Sequence, residues 1–169
     1  MATAKSSLLA GRNNAPLTPH EVTRAINTFL GFDEKVSVRF DADSPSAFHI
    51  LVDETNTQYG EIVFGPDIYP GSSVVDPNSA LSLPAAAAHE LTHYHRWMDK
   101  ATLTDEAFEH VEEALTSLMA IIRYDRHLNE NDVRQLVADA IQRLQLFVRQ
   151  QTEASVDRNL DRSDLTRTL

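Results

Sequence analysis

A chain of 169 residues, 42% hydrophobic and 24% charged, has the composition of one globular domain large enough to bury its own core. Its formal net charge of −10 argues against broad electrostatic affinity for nucleic acid or an anionic membrane. The absence of cysteine excludes disulfides and thiolate metal sites, leaves histidine and carboxylate as the metal-binding side chains, and fits a cytoplasmic location.

Residues 1–15 are polar and irregular and read as a flexible N-terminus; the apolar patch "SLLA" is too short for the core of an export signal. A single domain is expected over 16–151, and no apolar run approaches the roughly 18 residues of a membrane span. Thr18-Pro19-His20-Glu21 is a capping box that opens a helix to about Leu30, with Gly31 as its stop. "KVSVRFD", "AFHILVD" and "QYGEIVFG" read as strands, with turns at Asp43-Ser44-Pro45 and Thr55–Thr57. They predict a small antiparallel or mixed sheet. "GPDIYPGSSVVDPNS" reads as a long loop, of the kind that often carries function. Three helices follow, over about 83–99, 105–127 and from Asn129 or Asn131 to about Gln151. The polar tail 152–169 reads as frayed or disordered. The fold class is therefore α+β, a small sheet followed by a helical half.

The chemistry is concentrated in "LPAAAAHELTHYHRW", residues 83–97. On a helix, His89 and His93 lie within about 40° of each other and can grip one metal ion. Ala87, Leu91, Tyr94 and Met98 group on the other side as the expected core-facing stripe. Zinc takes neutral imidazole nitrogens, and a catalytic site adds a third protein ligand while leaving a position for water. Glu90, one residue from His89, is placed to take a proton from that water as general base.

The pattern His89-Glu90-x-x-His93 resembles the hallmark of the zincin metallopeptidases. The resemblance implies a minimal zincin-like fold, zinc as cofactor, and hydrolysis of a peptide bond, with His89 and His93 as ligands and Glu90 as the catalytic acid/base. It also implies a sheet whose edge strand binds extended substrate by backbone pairing, here "QYGEIVFG" or a neighbour.

The third ligand divides the superfamily. The metzincin pattern needs a glycine where this chain has Arg96, and its last position holds Asp99; without the glycine the chain does not easily leave the helix. In the gluzincin branch, thermolysin-like enzymes place a glutamate after 19 intervening residues, which from His93 leads to Glu113. Thr116 matches the small hydroxyl residue of that pattern, but Ser117 stands where the family has an aspartate that orients a zinc-bound histidine. Glu109 and Glu112 are rivals, as is Asp99, and His110 is a candidate for support of the site or an alternative ligand. On the helical wheel Ala107, Val111, Leu115, Leu118 and Ile122 form the expected buried stripe. Glu113 points opposite, among Thr116, Ser117 and Ala120, whose small size suggests another element packed close. Tyr69, Tyr94 and Tyr124 are open as oxyanion donors, and His95 reads as surface or core edge.

The expected function is therefore a zinc metalloendopeptidase of gluzincin type acting on a protein or peptide, with a protein partner that activates or inhibits it. The alternative is a non-catalytic, zinc-stabilised protein-interaction module, which would be closed by four protein ligands.

Overall fold

The computed structural model describes residues 11–73 and 75–165, with side chains through residue 155. Residues 1–10 of the expected flexible N-terminus and 166–169 of the tail lie outside the described residues. The α+β class and the order of sheet, then helical half, are as the sequence indicates.

Helix α1 (Pro19–Phe32) opens on the predicted capping box, with Thr18 and Glu21 bonded reciprocally. It passes through Gly31 and ends at Asp33, because burial of Phe29 against the sheet outweighs a glycine's weak preference against helix. Strands β1 (Ser37–Phe40), β2 (Ala47–Val52) and β3 (Gln58–Phe64) follow. The sheet is mixed, in order β1-β3-β2: β3 runs antiparallel to β2 and parallel to β1. The link between β1 and β2 crosses the width that β3 later fills. "QYGEIVFG" is thus the central strand, not an edge; the edges are β1 and β2.

The long segment after β3 is not featureless. It holds a 3-10 turn at Pro66–Ile68 and a short helix, α2 (Pro77–Ala80). Helix α3 (Leu83–Met98) is capped by Ser82, and α4 (Glu109–Arg123) follows. Helix α5 runs from Glu130 to Leu165 and so continues past residue 151 into the segment expected to be frayed.

Helix α3 is the axis of the molecule. One side packs on α1, β2 and β3, and the other on α4 and α5. Ala85–Ala88 and Leu91 are buried together with Phe29, Ile62, Phe64 and Leu136. The expected one-sided stripe fails at its end, where Met98 is 54% exposed, and the histidine side is itself covered. The reading of α4 is inverted outright. Its inward face is Glu112, Glu113, Thr116 and Ser117, whereas Leu115, Leu118 and Ile122 face out. The rule that the apolar stripe points inward fails here because the polar residues of α4 find partners inside.

Candidate metal centre

Three side chains converge between α3 and α4. His89 Nε2 lies 3.1 Å from His93 Nε2 and 3.2 Å from Glu113 Oε2, and His93 Nε2 lies 3.4 Å from Glu113 Oε1. Zinc bonds of about 2.0–2.1 Å in tetrahedral geometry put neighbouring ligands about 3.3 Å apart. The spacing fits. Among the described residues this is the one grouping of His, Cys, Asp and Glu compact enough to hold a metal ion.

The hydrogen bonds behind the cluster favour the protonation state a metal requires. Thr116 Oγ1 donates its single proton to the Glu112 carbonyl at 2.8 Å, so towards His93 Nδ1 at 3.4 Å it can only accept. A neutral His93 with its proton on Nδ1 would therefore turn its Nε2 lone pair into the cluster. His89 Nδ1 lies 2.8 Å from Ser117 Oγ. Thr116 and Ser117, the small residues the wheel placed beside Glu113, are fully buried.

Glu113 and the two histidines favour one another's charged forms. Burial pushes Glu113 up, but His93 and His89 overcome it and hold its carboxyl well below the usual range. Burial pulls His93 down, and Glu113 reverses this to leave the imidazole above its ordinary value. A cation in the cluster would serve both histidines and the carboxylate at once. Glu90, buried beside His89, is pushed up by desolvation more than the histidines pull it down.

The rival ligands lie outside the cluster. Asp99 is an exposed helix cap that pairs with Arg123 at 3.2 Å. Glu112 is buried against Arg96. Glu109 and His110, at the start of α4, are outside the cluster. His95 binds Asp33 at 2.9 Å on the α1 side. Of the candidate oxyanion donors, Tyr69 donates its hydroxyl to the Glu21 carbonyl, Tyr94 packs on Phe48 and Trp97, and Tyr124 packs on Phe32 and His127.

The neighbours the sequence reading missed are two arginines. Arg12, Asp67, Asn78, Arg143, His89 and Glu90 line one cavity of about 10 Å³, room for about one water. Arg12 comes from the segment expected to be loose, yet its guanidinium donates to the carbonyls of Asp67, Ile68, Asn78 and Leu81. Burial pushes its pKa down to about 10, so it remains charged at neutral pH. Arg143, on α5, lies 3.4 Å from Asp139 and 3.9 Å from Glu113. The Asp139/Arg143 pair at helical spacing was the available signal, but nothing in the sequence says which face of α5 meets the site. Ser46, just before edge strand β2, lines the same cavity.

Comparison with protein-family models, curated proteins and solved structures returned no match to this chain.

Proposed function

We propose that this chain is a zinc-dependent peptidase in which His89, His93 and Glu113 hold the metal and Glu90 acts as general base. The observation that carries the reading is the set of ligand separations, 3.1 to 3.4 Å, with a buried glutamate next to the first histidine. Bound zinc would supply a positive charge that lowers the pKa of a coordinated water towards neutrality. Glu90 would accept a proton at its carboxylate and deliver it to the leaving amine. Burial raises its pKa above the ordinary carboxylate value, the direction that helps it hold a proton before passing it on. Three protein donors leave a fourth position free, which distinguishes a catalytic from a closed structural site. The resemblance to gluzincins, the cytoplasmic location and a protein or peptide substrate belong to the same proposal. Among the described residues no helix is long and apolar enough to cross a membrane.

Two observations favour the second reading, a zinc-stabilised interaction module. The cavity beside the cluster has room for a water, not a peptide, and apolar residues Leu115, Leu118, Ile122, Ile141 and Val148 are exposed on α4 and α5. A partner protein docking there would answer the expectation of an activator or inhibitor.

The deciding experiment measures zinc content and cleavage of a complex peptide mixture for wild type and Glu90→Gln. One zinc per chain in both, with cleavage only by wild type, supports the peptidase. One zinc in both and cleavage by neither favours the module. No zinc in either removes both readings.

A further inference from the structure

The position where thermolysin-like enzymes carry an aspartate is Ser117 in this chain, and a hydroxyl alone orients an imidazole weakly. Behind Ser117, however, stands a carboxylate from a different helix. Asp139 of α5 is fully buried, and its Oδ2 accepts from Ser117 Oγ at 2.7 Å. Ser117 Oγ is in turn 2.8 Å from His89 Nδ1.

Proton counting gives this chain a direction. An ionised carboxylate can only accept, and serine has one proton to give. Once Ser117 donates to Asp139, its oxygen can only accept from His89, which fixes the proton on Nδ1. The Nε2 lone pair then faces Glu113 and His93. We propose that Asp139 is the positioning residue of the metal centre, acting through Ser117 to set the tautomer and ring orientation of His89. This rests on the metal-site reading above.

Two further features fit that role. Asp139 is not an uncompensated buried charge, because Arg143, one turn later on α5, lies 3.4 Å from its Oδ1. The same arginine reaches within 3.9 Å of Glu113 Oε2. One face of α5 thus supports a histidine ligand through Asp139 and approaches the carboxylate ligand through Arg143. Carboxylates behind zinc-bound histidines fix orientation and raise ligand basicity, and their loss typically costs about 10–100-fold in metal affinity. Here the carboxylate is moved back by one hydroxyl.

The test is zinc affinity, measured by chelator competition on the full chain, with the visible spectrum of the cobalt-substituted protein as a second readout. Ser117→Ala severs the relay without touching Arg143, and Asp139→Asn removes the charge with little change of shape. Each should weaken zinc binding by about 10–100-fold, and the double variant should be no weaker than the worse single one, because both break the same chain. Ser117→Asp combined with Asp139→Ala returns a carboxylate directly to His89 and should recover most of the loss, which a purely structural role would not allow. Thermal unfolding of the metal-free variants separates loss of fold from loss of metal. Wild-type zinc affinity in Ser117→Ala, or additive losses in the double variant, overturns the relay while leaving the metal site standing. A wild type that takes up no zinc removes the metal site itself.

Discussion

Arg96 grips Glu112 with two prongs: Nε lies 2.9 Å from Oε1 and Nη2 lies 2.6 Å from Oε2, with both side chains buried. The pair joins the end of α3 to the start of α4. Glu112 also accepts from the Leu103 amide, and Arg96 donates to the Ala101 carbonyl, so the connecting chain is tied down at two points. The position that needs a glycine in the metzincin pattern is thus filled by the side chain that secures the helix exit. Asp99 stays on the surface, and Glu112 is committed to Arg96 and not to the His89–His93–Glu113 cluster.

Breaking a buried pair from one side typically costs about 3–5 kcal/mol. Glu112→Ala should therefore destabilise the protein by about that much while the folded fraction still binds one zinc. Burial alone would push Glu112 up, but Arg96 and the Leu103 amide outweigh it and hold the carboxyl below its ordinary value of 4.5. A depressed folded pKa contributes stability that is present above 4.5 and is lost as pH falls through the lower, folded value. Urea unfolding from pH 6 down to 3 should fall more steeply for wild type than for Glu112→Gln. Parallel curves would deny Glu112 this role.

The ligand assignment separates cleanly in affinity. Glu113→Ala should release zinc readily, losing more than the about 10–100-fold typical of supporting residues. Asp99→Ala and Glu109→Ala should hold zinc nearly as wild type does. Three dissociation constants measured side by side decide it. A tight Glu113→Ala with a weak Asp99→Ala would sink the gluzincin arrangement.

What could be read in advance follows from which signals are local. The capping boundary at Thr18, the three strands and the helical pitch of His89 and His93 depend on neighbours in sequence, and all were legible. Glu113's place beside the histidines was reachable only through the resemblance to thermolysin-like enzymes, which carries a spacing counted from His93. The orientation of α4 was not, because Leu115, Leu118 and Ile122 look like a core stripe to any rule that prizes apolar burial. Ser117 is inside because it bridges His89 and Asp139, the latter brought in from α5. Arg12 was missed for the same reason: its carbonyl partners lie more than fifty residues away in sequence. The parallel pairing of β1 with β3 likewise depends on a strand that arrives last.

The metal should change how stability responds to pH. In the metal-free protein His93 is held above its ordinary 6.5, with Glu113 overcoming burial, and Glu113 lies well below 4.5. The first contribution is complete below 6.5 and is lost as pH rises through the folded value; the second is present above 4.5 and is lost as pH falls. Zinc needs neutral histidines, so its contribution grows as pH rises. The gap in Tm between zinc-loaded and stripped protein should therefore widen from pH 6 to pH 8. A gap that narrows over that range would exclude histidine ligation.

The roof of the site makes the last prediction. Gly11, at φ +85°, brings its carbonyl to the Ser79 hydroxyl at 2.6 Å, and the Gly71 amide donates to the Ser79 carbonyl at 2.9 Å. A Cβ on Gly71 would stand 1.6 Å from the Gly11 oxygen, so the strap at 11–13 and the segment 65–82 fit together only with glycine there. Arg12 donates to four carbonyls of that segment and lines the same cavity as Glu90. Hydrogen bonds to a charged group are worth about 1.5–3 kcal/mol each, and the loss of several at once is only partly offset by water entering. Arg12→Ala should lower stability by about 3 kcal/mol or more and speed zinc release to a chelator. Arg12→Lys should recover little, because an ammonium does not reproduce the planar fork. Gly71→Ala should act in the same direction by forcing the strap off. If both Arg12→Ala and Gly71→Ala keep the wild-type Tm and release rate, the strap does not cover the site, and access to Glu90 must be controlled elsewhere.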